Sequence, residues 1–493
     1  MEKKPSEIYE EYSRNIITTS LAAKHFISII ENSGDQKQRL QALSYLNRIE
    51  IVDSEVFDLL ENLMISDSNE NVRKAAVEYI KESFFEKAFD PMKFSYEHET
   101  SIKNIITIIS TIGKIDSIKA RTFLLREIEK IDNEMFNVKI FTDKKYSNKE
   151  LAEYFIEYLI INNLEQKYDK MEYKIKNNHI IELNLSDVSS HVFEWNVLNK
   201  VPIYLVELCF LRKLSLKFNK LRNIPVSLKD LKYLEAIDLS YNKIKKFPQT
   251  IESFSALREL NISYNRIDKI PNSISRLVNL EIFNLRANSL KELPTEINYL
   301  KNLRNLNLRD NILLDLPHTF QYLYKLEFLD LGSNNLVKIP TSLKFLKNLK
   351  YLNISGNEIR SVPLWINELQ SLEELHISDN KITELPETMG ALKNLSSLTL
   401  WNNGLENLPE SFKKLKKLKV LNLSWNNFSQ LPIFLELLPN LEILSLWGNK
   451  IKVLPSQSLK FPSLKILDLN FNNIKEIPES IKKLKRDGIT IYK

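Results

Sequence analysis

One spacing governs this sequence: a period of 23 residues that runs without a slip from residue 211 to residue 486. It places Leu211, Leu234, Leu257 and every 23rd residue up to Leu464 in a single column, leucine at all twelve positions. Eight residues on, twelve asparagines from Asn219 to Asn472 form a second column, and six further on, twelve prolines from Pro225 to Pro478 form a third. The third column takes twelve of the 17 prolines in a chain of 493 residues. A unit this short cannot bury its own apolar side, so a period kept this strictly means stacked coils that close one core between neighbours.

The coil at 280–302 shows what each position does. Leu280, Phe283 and Leu285 point inward, and Phe283 and Leu285 alternate with outward Asn284 and Arg286, as in a strand with one buried face. Asn288 turns the chain; its amide both donates and accepts, which satisfies backbone groups that a turn leaves inside a coil. Leu290 and Leu293 continue the core, and Pro294 opens a return segment. There Ile297, Leu300 and Leu303 suit a short helical turn whose first position tolerates proline. The expected fold class is an α/β solenoid with a parallel concave sheet, its twelve strands spanning on the order of 58 Å at roughly 4.8 Å per strand. Only the eleventh coil departs, at Ser458, where Leu459 takes the apolar place.

The ends need covers. Residues 171–210 form an expected N-terminal cap: a hairpin from Tyr173 turning at Asn177 and Asn178, Leu183 and Leu185 in a first strand, then an irregular repeat with Trp195 and Val201-Pro202. The twelve repeats fill 211–486. Residues 487–493 break the period, and Gly488, Ile489 and Ile491 suit a closing strand.

Residues 1–170 read differently, as an all-α domain with apolar residues at helical spacing near 18–32, 36–49, 53–66, 70–85, 99–113, 116–131 and 147–165. QRLQALSYL at 38–46 aligns over VRKAAVEYI at 72–80, matching Arg39 to Arg73 and Ala42 to Ala76. SNENVRKAAVEYI resembles the second helix of a HEAT repeat; a generic helical bundle is the other reading.

Chemistry is hard to find. Eight glycines make neither GxxxxGK[ST] nor GxGxxG, and six histidines with one cysteine give no HExxH or paired-cysteine spacing. Cys209 sits in the apolar run LVELCFL, a core setting. His376, Ser378 and Asp379 alternate along one strand as outward positions of a coil. The expectation is a non-catalytic protein with no cofactor, no metal and no small-molecule substrate. The start MEKKPSEIYEEYSR is acidic where a signal peptide needs a basic then apolar stretch, and no apolar run reaches about 18 residues. With a lone cysteine, this points to a soluble protein of the cytoplasm. Charge is uneven: residues 1–174 carry 25 Lys+Arg against 31 Asp+Glu, and residues 175–493 carry 44 against 32.

Function must then lie in what the fixed columns leave free, the outward positions that vary from coil to coil. Trp401 and Trp447 stand at equivalent positions two coils apart, with Ser424 between; Val420, Ile443 and Ile466 form an apolar column beside them, and Trp425 ends a strand. Such a patch suits an interface hot spot, the other reading being that Trp425 shields the asparagine turn. Arg286 and Arg309 are adjacent and either grip a carboxylate or phosphate or are neutralised by Asp310 and Asp330. Tyr241 and Tyr264 give the first coils a polar aromatic surface. A basic surface recruited to anionic membrane or nucleic acid, through lysines such as Lys413, Lys414, Lys416 and Lys417, is the alternative to a protein partner.

The columns NxLxxLP followed by IxxLxxL resemble the intracellular Ras-group leucine-rich-repeat proteins over 211–486. That resemblance implies a signalling scaffold with a protein partner such as a small GTPase or a phosphatase.

Overall fold

The computed structural model describes residues 3–131, 133, 135–136, 146–188, 198–457 and 459–493, so Trp195 and Ser458 lie outside the described residues. The chain divides into two units, one built chiefly from residues 1–181 and the other chiefly from 182–189 and 209–493.

Among the described residues the first unit begins with nine α-helices: α1 (Pro5–Ser13), α2 (Thr19–Asn32), α3 (Gln36–Arg48), α4 (Ser54–Ser66), α5 (Glu70–Ser83), α6 (Phe89–His98), α7 (Ile102–Lys114), α8 (Ile118–Glu129) and α9 (Asn148–Glu165). Side-chain caps start most of them: Asp53 accepts from the Val56 N–H at 2.8 Å, and Ser147 with Glu150 forms a reciprocal box on α9. Two helices were not expected from periodicity, α1 and α6. Each carries a proline in its first turn, Pro5 and Pro91, where a missing N–H costs nothing because that turn has no acceptor for it. The residues matched at 34-residue spacing make matched contacts. Arg39 pairs with Asp67 and donates to the Ile30 carbonyl at 2.7 Å. Arg73 pairs with Glu99 at 2.7 Å and donates to the Asp67 carbonyl at 2.8 Å. Ala42 and Ala76 are both fully buried.

Strands β1 (Glu172–Lys176) and β2 (His179–Asn184) are joined by Asn177 and Asn178 at φ 50° and 65°, the left-handed pair that a two-residue hairpin turn requires. Twelve three-residue strands follow at 23-residue intervals, from β3 (Lys213–Ser215) to β14 (Ile466–Asp468). Neighbours pair in parallel with like positions opposite, as in Leu398, Leu421 and Leu444. A helix α10 (Glu479–Arg486) and a last strand β15 (Thr490–Tyr492), paired with β14, end the stack in chain order.

In ten of the twelve repeat strands the middle residue is buried and its neighbours are open, as in Glu374, Leu375 and His376, while Asp330 and Asn353 are buried beside the middle residue in the other two. The return segments of the first ten coils are five-residue 3-10 turns such as Thr295–Tyr299. Proline does not stand inside the turn as expected. It precedes the turn as its cap, extended at φ −69° and ψ 152° in Pro294, so its ring fixes the angle of entry. Leu459 is buried, in keeping with its place in the irregular eleventh coil.

The asparagine column ties coil to coil. Asn311 donates to the Leu285 and Leu308 carbonyls at 3.0 Å and to the Arg309 carbonyl at 3.3 Å, and accepts from the Leu290 N–H at 3.0 Å. The residue just before it is left-handed in all twelve coils, with φ between 52° and 69° from Phe218 to Phe471. A second ladder was not foreseen: Asn279, Asn302, Asn348, Asn394 and Asn440 each donate to a carbonyl 24 residues earlier.

Candidate partner-binding surface

Because like positions stack, side chains 23 residues apart become neighbours at about 4.8 Å per coil. The left-handed column and the open positions along the strands gather several aromatics of the second unit into three groups.

In the first coils Phe218, Tyr241 and Tyr264 stack face to face, each centroid 4.1 Å from the next. Lys217 lies beside the stack, 4.7 Å from the ring centre of Phe218 and 5.6 Å from that of Tyr241, and Arg286 lies 5.4 Å from the ring centre of Tyr264. Tyr241 and Tyr264 are therefore members of a column begun by Phe218, a residue the sequence reading passed over.

In the middle coils Phe328 and Tyr351, paired in register, stack at 4.4 Å with His376 5.2 Å beyond. His376 bonds Thr399 at 2.9 Å, Ser378 is buried and Asp379 accepts from Asn402, so these three do not assemble on one another. The arginines are internally engaged. Arg286 donates to Asp310 at 2.8 Å, and Arg309 lies 3.6 Å from the same oxygen. Burial raises the pKa of the Asp330 carboxyl, although Gly332 N–H donates to it at 2.8 Å. Of the two readings of this pair, neutralisation by neighbouring aspartate is the one the contacts match, through Asp310.

In the last coils Trp425 meets Trp447 edge to face at 5.2 Å, and Trp447 meets Phe471 the same way at 5.7 Å. Trp425 lies flat on Gly448: a Cβ there would come 3.0 Å from its indole Cδ2, and Gly448 is left-handed at φ 69°. Val420, Ile443 and Ile466 run beside this chain as register partners, each half-buried. Trp425 is 48% exposed and Phe471 77%, so the group presents a broad apolar face. Trp401 is also exposed but makes no ring contact with Trp425 or Trp447 among the described residues; Ser424, at the equivalent place between Trp401 and Trp447, turns its hydroxyl to Asn422 and Ser445. Phe471, like Phe328 and Tyr351, was missed, though the column that carries Trp425 reaches it after two more periods.

No group of three or more His, Cys, Asp or Glu side chains arranged to hold a metal occurs among the described residues, and none of the described helices is long and apolar enough to cross a membrane.

Family models described as leucine rich repeat match residues 210–267, 255–313, 301–359 and 417–438, and one described as two copies of the repeat matches 347–388 and 439–483. The chain is a leucine-rich-repeat protein. It is similar to a solved leucine-rich-repeat protein of Leptospira interrogans, 30% identical over 60% of this chain and 81% of that one, with a TM-score of 0.46. An internalin of Listeria monocytogenes is 23% identical over 59% of this chain and 88% of its own, with a TM-score of 0.46. The Arabidopsis receptor kinase HAESA, solved in complex with the peptide hormone IDA and the co-receptor SERK1, is 26% identical over 65% of this leucine-rich-repeat protein and 59% of the kinase chain, with a TM-score of 0.52. A search of curated proteins finds no match.

Proposed function

We propose that this leucine-rich-repeat protein is a non-catalytic scaffold that takes a protein partner on the concave face of its solenoid. The observation that carries this is the Trp425, Trp447 and Phe471 chain, with Val420, Ile443 and Ile466 alongside, all on positions that the repeat does not need for its core. Covering large aromatics that a folded chain leaves in water contributes about 1.5–3 kcal/mol per side chain, enough for a few of them to dominate an interface. The similar solenoid of HAESA was solved with a peptide hormone, which supports a polypeptide ligand. The resemblance to the Ras group supports a cytoplasmic signalling role with a small GTPase or phosphatase as partner. The matched Arg39–Asp67 and Arg73–Glu99 pairs support a HEAT-like stack for the first unit.

Affinity capture from the native cell extract tests the reading. Trp425→Ala with Phe471→Ala should abolish capture of the partner with little change in melting temperature. Gly448→Ala should weaken capture too, because it displaces the Trp425 indole while keeping every aromatic. Leu364→Ala, an exposed residue of a return turn, should have no effect. Undiminished capture by the Trp425 and Phe471 double variant overturns the assignment.

A further inference from the structure

The four positions after each ladder asparagine carry an unequal charge along the stack. In the first three coils they hold seven cations and one acid, Asp268; in the other nine they hold seven cations and six acids. Among the described residues two of the seven cations at these positions in the later coils pair with acids of the neighbouring coil, Lys381 with Glu358 and Lys338 with Asp315. None of the seven in the first coils makes an ion pair among the described residues. Five of them, Arg222, Lys243, Lys245, Lys246 and Arg266, line one recess of about 660 Å³ whose apolar wall is Val226, Phe247 and Pro248. A volume of this order suits a small ligand.

Like charges on coils about 4.8 Å apart repel, and an anion seated between them removes that repulsion. Charge density selects the ligand. An acidic peptide spreads its carboxylates at about 3.3 Å per residue along a line, whereas linked phosphates bring several charges within reach of five cations, two of them guanidiniums that bind phosphate with paired N–H groups. Single-stranded nucleic acid needs open ring faces for its bases. The nearby Phe218, Tyr241 and Tyr264 stack on one another, which covers both faces of Tyr241, and Arg286 lies over Tyr264.

We propose that this recess binds a compact, multiply phosphorylated anion of the tripolyphosphate class, as a free ligand or as a lipid headgroup. The site is separate from the concave aromatic chain and does not depend on it. Calorimetric titration of the full chain with inorganic tripolyphosphate at physiological ionic strength should show saturable one-site binding. Lys245→Glu with Lys246→Glu should weaken it by about tenfold or more. Lys414→Glu with Lys417→Glu, an equal charge change on a distant return segment, should leave it unchanged. Vesicles carrying a bisphosphorylated inositol lipid separate the sources: retention that tripolyphosphate displaces assigns a headgroup, and tripolyphosphate binding without retention assigns a soluble ligand. No saturable binding, equal weakening by both double variants, or binding of single-stranded RNA that tripolyphosphate fails to displace overturns the proposal.

Discussion

Replacing one ladder asparagine tests what holds the coils together. In Asn311→Ala the amide that bonds three carbonyls and one N–H, in a residue only 6% exposed, is lost. A methyl group cannot replace these bonds, and the site is too enclosed for water to take them all. Two amide protons share the three carbonyls, so two good bonds and one acceptor are removed. At about 1–3 kcal/mol for each of the three groups left unsatisfied, the loss should be about 3–9 kcal/mol. Asn403 makes the same kind of contacts on a coil where the asparagine is half-exposed, so Asn403→Ala should cost about 1–3 kcal/mol, water taking part of the role. Urea denaturation followed by circular dichroism measures the difference. Hydrogen exchange should show protection lost first at Leu290, whose N–H loses its acceptor, and only later in distant coils, because a stack passes stability between neighbours. Equal losses at the two sites, or a loss at Asn311 below about 1 kcal/mol, would refute the view that the buried amide, and not leucine packing alone, fixes coil to coil.

The first unit offers three further tests. Gly113→Ala should lower its stability by about 1–3 kcal/mol, since a Cβ there would lie 2.3 Å from the Ala152 Cβ, and Ala152→Gly in the same chain should recover part of the loss in a thermal melt. Burial alone would raise the Glu99 carboxyl pKa, yet hydrogen bonds from Arg73, the Ser101 N–H and Asn104 outweigh it and bring the value down to about 2 from an ordinary 4.5. A lowered carboxylate stabilises the fold above its ordinary pKa and loses that contribution as pH falls through the folded value, so Arg73→Met should destabilise at neutral pH, with the gap from the parent closing between pH 4.5 and about 2 in acid titration. Tyr79 shares its one hydroxyl proton between the Leu46 and Ile51 carbonyls, each 3.0 Å away, from a buried position, so Tyr79→Phe should cost about 1–3 kcal/mol in urea.

Much of the solenoid was legible because its information is local and repeated. A leucine that recurs every 23 residues has one explanation, and an asparagine eight residues on has a role fixed by its donor and acceptor groups. The hairpin at Asn177 and Asn178 was legible for a similar reason, since both residues tolerate the left-handed backbone. Helices α1 and α6 were hidden by prolines that helical geometry allows only in a first turn. The surface was partly legible. Trp425 and Trp447 were named, but their pairing and the addition of Phe471 depend on which positions face each other across coils.

The sequence by itself determined the repeat, its inward leucines, its asparagine turns and the parallel order of its strands, because each follows from a short-range pattern that stacking must satisfy. Only the tertiary structure decided that Arg286 bonds Asp310, that Trp425 rests on Gly448 and that Trp401 makes no ring contact with the Trp425 and Trp447 pair. It also decided which cations of the first coils line one recess and make no ion pair among the described residues. Those are relations between side chains one coil apart, where rotamer, backbone hand and neighbour size choose among contacts that the period leaves equally available.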